Sequence, residues 1–160
     1  MLKRSVFLIG SLLCLLSLQA QPVTSPEVYL GYQPGTHFTP HHRILGYVKT
    51  LASEAPTRMQ LKPYGKTNEG NELLVAIVSS PENMANLEAI RQNNLRLTGL
   101  LADQAADPQL PAIVWLSYNV HGNEASSSEV AMVLLHQLVA GKDAAVAEWL
   151  KKVVVIIDPC

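Results

Sequence analysis

One histidine and one glutamate stand three positions apart, His121 and Glu124, where an apolar run gives way to serines in WLSYNVHGNEASSSE (115–129). An imidazole nitrogen and a carboxylate oxygen are both donors that Zn²⁺ accepts, at about 2.0–2.2 Å. A catalytic zinc site takes three protein ligands and leaves one position open. Gly122, between the two, would let the backbone turn with no side chain in the way. Ser126, with Glu129 three residues later, has the spacing of a capping box for a following helix, which would pin the loop at its far end. A chain with five histidines and nine glutamates produces roughly 0.3 such pairings by chance. Spacing alone therefore leaves a second reading open: a loop histidine bonded to backbone beside a solvated glutamate.

The flanking elements decide where such a pair would sit. Ala112 to Tyr118 is an apolar run that predicts a strand, and a helix is expected from roughly Ser127 to Val139. His121 and Glu124 then fall just past a strand's carboxyl end, where ligands collect in open α/β sheets. Upstream, Thr39-Pro40 has the form of an N-cap with proline at the first helical position. Ile44, Leu45, Val48, Leu51 and Ala52 follow at helical spacing, predicting a helix over 40–54. Arg58–Tyr64 alternates and Leu73–Ser79 is continuously apolar, with the turn-rich GKTNEGN (65–71) between them, which predicts a β-hairpin with a buried second strand. Ser80-Pro81-Glu82 opens another helix, expected to run to about Arg91; residues 98–111 read as a loop. After Gly141 come a short helix at 143–151 and the strand Val153–Ile157. Non-alternating strands separated by helices indicate an α/β fold: a mostly parallel or mixed sheet with helices on both faces.

Residues 1–20 have a basic start (Lys3, Arg4), an apolar stretch from Val6 to Leu18 and a small residue, Ala20, after which cleavage is expected. That is the layout of a secretory signal. The apolar stretch is shorter than the ~20 residues needed to span a bilayer. Cys14 follows Leu12 and Leu13, where a lipidation site would carry a small residue. The expected division is a signal at 1–20, an extended lead-in at 21–39 and a catalytic-type domain from 40 to 160. Losing the signal removes two cations and no anions, leaving 10 basic against 13 acidic side chains. With no basic face, nucleic acid is excluded as an expected partner, and no membrane association is expected after cleavage. The single remaining cysteine, Cys160, rules out an internal disulfide framework.

Other chemistry-bearing residues have plainer readings. His136 lies about ten residues into the predicted helix, hence roughly 15 Å from its start, too far to share an ion with His121. Asp158 and Cys160, at the end of a neighbouring strand, come closer but read as solvated. His37, His41 and His42 read as surface residues. Ser126, Ser127 and Ser128 lack the G-x-S-x-G setting of a nucleophile elbow and suit helix capping. Trp115 and Trp149 read as core and helix-packing residues.

The segment NVHGNEASSS (119–128) resembles the first zinc-ligand motif of the carboxypeptidase A-like zinc metallopeptidases. YGKTNEGNELLV (64–75) is similar to that family's G-x-S/T-x-E-G-R-x-L hairpin, and Val153–Asp158 is similar to the strand that leads into its Asn-Pro-Asp-Gly loop. The resemblance covers roughly residues 40–160. It implies a carboxypeptidase-like fold, Zn²⁺ as cofactor, peptide or protein substrates and a secreted or periplasmic setting, with His121 and Glu124 as the first two zinc ligands. The family's third ligand, a histidine, lies well downstream, as do its general-base glutamate, carboxylate-clamping arginine and substrate-covering tyrosine. The 160 residues are accordingly expected to be the N-terminal part of a longer enzyme, incomplete at the C-terminus and without peptidase activity alone. Two other readings stay open: a zinc-dependent amidohydrolase of N-acyl amino acids, whose first ligand motif is similar, and a non-catalytic exported binding module.

Overall fold

The computed structural model describes residues 22–160; the signal reading at 1–20 and Cys14 lie outside them. In chain order the elements are α1 (Pro26–Leu30), α2 (His41–Glu54), β1 (Met59–Lys66), β2 (Glu72–Val78), α3 (Pro81–Ala85), α4 (Leu87–Leu97), β3 (Ala112–Ser117), α5 (Ser126–Val139), α6 (Ala144–Leu150) and β4 (Val153–Asp158). The sheet order is β1-β2-β4-β3. β1 and β2 form an antiparallel hairpin whose register shifts between Pro63 and Gly65. β2 and β4 are antiparallel, while β3 and β4 run parallel. Of the two arrangements expected, the sheet is the mixed one.

Burial explains why β2 and β4 lack polar alternation. Leu74, Ala76 and Val78 of β2, with Val155 and Ile157 of β4, join one core cluster. Onto it α2 packs Ile44, Tyr47, Val48 and Leu51, and α5 packs Ala131, Met132, Leu135 and Val139. These helical residues recur three or four apart, as one face of a helix requires. Side chains along a strand alternate faces, so Val75 and Val154 point the other way. They too are buried, as are Met84 of α3 and Ile90 of α4, outside that cluster. Ile157 has no exposed area and sits between Ala76 on β2 and Leu116 on β3. Ile157→Val should lower unfolding free energy by about 1 kcal/mol, read from the urea midpoint at unchanged slope.

The parallel pair positions the site. β3 and β4 are joined through α5 and α6, a crossover that returns the chain to the same end of the sheet. Their register runs from Ala112 opposite Val153 to Ser117 opposite Asp158, so both strands finish at one edge. The Tyr118 amide donates to the Asp158 carbonyl at 2.9 Å and closes that edge. At the opposite end the buried Ser79 hydroxyl lies 2.9 Å from the Leu150 carbonyl and 2.6 Å from that of Val153, holding the α6–β4 turn against β2. Asp143 caps α6, its carboxylate accepting from the amides of Ala145 and Val146.

Several sequence expectations need correction. The lead-in is not extended throughout: Ser25 accepts from the Val28 amide and Pro26 opens α1, which Gly31 ends at φ 79°. Thr39 does not cap α2; the N-cap is Pro40, with no side-chain bond. The helix begun by Ser80 breaks at Asn86 into α3 and α4. β3 is an edge strand paired to β4 alone, so Val114 and Trp115 are exposed (Trp115 60%). Trp149 is equally exposed. Neither tryptophan is a core residue. Among the described residues no single helix is long and apolar enough to cross a membrane.

Candidate metal centre

Beyond β3 the backbone makes a braced turn. Asn119 adopts φ 54°, the one non-glycine residue at positive φ among those described, a conformation asparagine tolerates better than most side chains. With its amide nitrogen turned inward, Asn119 donates to the carbonyls of both His121 and Glu124 at 3.2 Å. The Glu124 amide donates to the His121 carbonyl at 2.9 Å, and the Ser127 amide to the Glu124 carbonyl at 3.0 Å. These bonds fix the loop through its main chain. They leave the imidazole of His121 and the carboxylate of Glu124 on exposed residues at the strand end. Gly122 is not the conformational key, because its φ is not positive and an added Cβ would meet no atom within 4 Å. Asn119 has that duty.

The donor types fit zinc: one imidazole nitrogen and one carboxylate oxygen, three apart on a turn in which the Glu124 and Ser127 amides are hydrogen-bonded. Among the described residues no three His, Cys, Asp or Glu side chains converge as a metal site. His121 and Glu124 are thus a candidate pair, without a third such side chain beside them among the described residues.

The far end of the loop is held differently from the capping box that Ser126 and Glu129 suggested. α5 begins at Ala125 without a side-chain cap. Glu129 is buried at 5% exposure and turns to the lead-in. Its Oε1 accepts from the Thr39 hydroxyl at 2.6 Å, and its Oε2 accepts from the Gly35 amide. The Tyr32 and Thr39 hydroxyls share a bond of 2.8 Å. A buried carboxylate needs such donors to offset its lost hydration. The consequence is a wall, Gly35–Thr39, fastened to the first turn of the helix that carries the candidate ligands' loop. Sequence reasoning missed this role for Glu129 and Thr39. Their separation of 90 residues leaves no local signal.

The remaining candidates are placed apart from the pair or engaged elsewhere. His136 reaches the Val23 carbonyl, 3.3 Å from Nε2. His37 is exposed, with its ring 4.8 Å from that of Tyr32. His42 is exposed, but His41 is not a plain surface residue: it is half-buried, with Nδ1 3.1 Å from Cys160 Sγ. Burial pushes the Cys160 thiol up to about 12, and as a thiol it can donate to that nitrogen. Asp158 is half-buried: Oδ2 accepts from the exposed Tyr64 hydroxyl at 2.7 Å, while Oδ1 is buried. That bond raises the Tyr64 phenol to about 12. Ser126 is exposed and Ser128 buried.

Two cavities flank the wall. One, of about 200 Å³, has Phe38, Thr39, His41 and Ile44 on one side and Asn119, Gly122 and Ala125 of the ligand loop on the other. The second, of about 330 Å³, lies between Gly35–Phe38 and Ala125, Ser126 and Glu129.

The family model described as zinc carboxypeptidase matches residues 44–160. No curated protein matches the chain. Among solved structures, the crystal structure of thrombin activatable fibrinolysis inhibitor (TAFI) superposes with a TM-score of 0.56 at 17% identity, covering 84% of this chain and 26% of that one. Carboxypeptidase A from Helicoverpa armigera gives 0.54 at 17% identity, covering 76% of this chain and 24% of that one. These likenesses show the fold, and the chain spans about a quarter of the length of either structure. With the family match running from within α2, through the His121–Glu124 loop, to the end of β4, the chain belongs to the zinc carboxypeptidase family.

Proposed function

We propose that the complete protein is an exported zinc peptidase of the carboxypeptidase type, in which His121 and Glu124 are two of three protein ligands to the metal. The observation that carries this reading is the placement of the two donors. They are exposed on a main-chain-braced turn at the carboxyl end of β3, inside the segment matched by the family model. Bound zinc would polarise the scissile carbonyl and lower the pKa of a water. The chain's own contribution is positional. Asn119 fixes the two carbonyls of the loop, β3 and β4 present it at the sheet edge, and Glu129 holds the lead-in beside it. By the resemblance, the third ligand, the general base and the residues that clamp the substrate follow position 160. Peptides or proteins are the substrates, and the setting is secreted or periplasmic, as the basic and apolar order of residues 1–20 suggests.

Residues 21–160 produced alone should bind zinc with a Kd weaker than about 1 μM and cleave no peptide, whereas the full-length protein should retain about one zinc per chain and hydrolyse peptide substrates. Calorimetry and peptidase assays on both proteins check this. Tight zinc binding with turnover by residues 21–160 would contradict it. Cleavage of N-acyl amino acids in place of peptides would favour an amidohydrolase.

A further inference from the structure

One side chain ties the two candidate ligands to each other. A primary amide carries two N–H donors on a single nitrogen. The Asn119 nitrogen donates to the His121 carbonyl and to the Glu124 carbonyl, each at 3.2 Å. Both carbonyls also accept from the main chain: that of His121 from the Glu124 amide at 2.9 Å, that of Glu124 from the Ser127 amide at 3.0 Å. A carbonyl oxygen has two lone pairs, so both oxygens are filled, and the Asn119 amide spans the two residues.

The residue that carries this amide is itself fixed. Tyr118, just before it, donates its amide to the Asp158 carbonyl at 2.9 Å, so the chain enters the turn from the locked end of the β3–β4 pair. Asn119 then turns at φ 54°. Two demands meet at this position: a left-handed backbone, and a pair of donors within reach of two carbonyls. Glycine would meet the first alone. Aspartate has the size and tolerates the backbone, but an ionised carboxylate has no donor and would set its oxygens against the two carbonyls. Asparagine meets both demands.

We propose that Asn119 is a positioning residue of the metal centre, which sets the separation of the His121 and Glu124 donors before metal arrives by tying their main chains together. This assignment rests on the zinc reading given above. Asn119 itself touches neither metal nor substrate in it. Groups that orient ligands from outside change metal affinity or activity by about 10–100-fold when they are lost.

The test uses the full-length protein, metal-free and loaded with Zn²⁺ or Co²⁺. Asn119→Gly keeps the backbone conformation and loses the tie, and should raise the zinc Kd by about tenfold. Asn119→Asp should raise it by about 100-fold and shift the visible bands of the Co²⁺-loaded protein, which report ligand geometry. Metal-free Asn119→Gly should keep the cooperative urea transition and the circular dichroism of the unsubstituted protein, so that the loss is read on a folded chain. In the unsubstituted metal-free protein, the side-chain amide protons of Asn119 should exchange with solvent about tenfold more slowly than those of the exposed Asn123. Zinc bound as tightly by both variants as by the unsubstituted protein, or Asn119 amide protons exchanging as fast as those of Asn123, overturns the positioning role and leaves the zinc reading standing. An unsubstituted protein that binds no stoichiometric zinc overturns the zinc reading, and the positioning role falls with it.

Discussion

His121→Ala in the full-length enzyme should abolish stoichiometric zinc and cut kcat/KM for peptides by about 10³-fold or more. The magnitude follows from the role. A metal ligand supports several kcal/mol of transition-state charge stabilisation, and each ~1.4 kcal/mol is tenfold in rate. Glu124→Ala should do the same. Each removes one of the two proposed donors of the loop, whose internal bonds do not use these side chains. For that reason neither substitution should change the unfolding free energy of the metal-free protein by more than about 0.5 kcal/mol, as expected for surface positions. Metal analysis, steady-state kinetics and urea unfolding of the apo form separate the two effects. Normal zinc content in either variant would remove that residue from the metal centre.

Glu129→Ala should act in the opposite way, on stability first. The Glu129 carboxylate is 5% exposed and takes two hydrogen bonds from the lead-in, one from the Thr39 hydroxyl and one from the Gly35 amide. Bonds to a charged group contribute about 1.5–3 kcal/mol each, and loss of the acceptor leaves their donors unpaired. A fall of about 3 kcal/mol in unfolding free energy is expected. Thr39→Val should cost less, and the double variant should show a coupling energy of about 1–2 kcal/mol, since the two side chains touch. Strict additivity would mean the contact contributes nothing. Zinc content should survive in Glu129→Ala, because Glu129 braces the wall and the Asn119 turn braces the proposed ligands.

The legible part of this molecule was what short-range pattern controls. The apolar runs at 73–79 and 153–157 gave two buried strands, because a sheet covered on both faces imposes no polar alternation. The helical spacing from Ile44 to Leu51 gave α2. His121 and Glu124 fell at a strand end as expected, since apolar residues followed by Asn, Gly and Ser mark such a junction. What failed depended on partners far along the chain. Ser126 and Glu129 have capping-box spacing, but a buried carboxylate is better satisfied by Thr39 and Gly35, about 90 residues earlier. Thr39 looked like an N-cap and is instead drawn to Glu129, leaving Pro40 in that place. Trp115 is apolar enough for a core, yet its burial depends on whether β3 is central or at an edge, and no local pattern encodes strand order. Gly122 attracted the turn because glycine permits positive φ; Asn119 took it, with an amide that repays the conformation by bonding two carbonyls.

Every functional statement depends on one ion being shared by two side chains at the end of β3. Anomalous diffraction at the zinc edge from crystals of the full-length protein measures this directly. The expected result is a single peak about 2.0–2.2 Å from both a His121 ring nitrogen and a Glu124 carboxylate oxygen. A zinc peak bound elsewhere, with those two side chains turned away from each other, would contradict it.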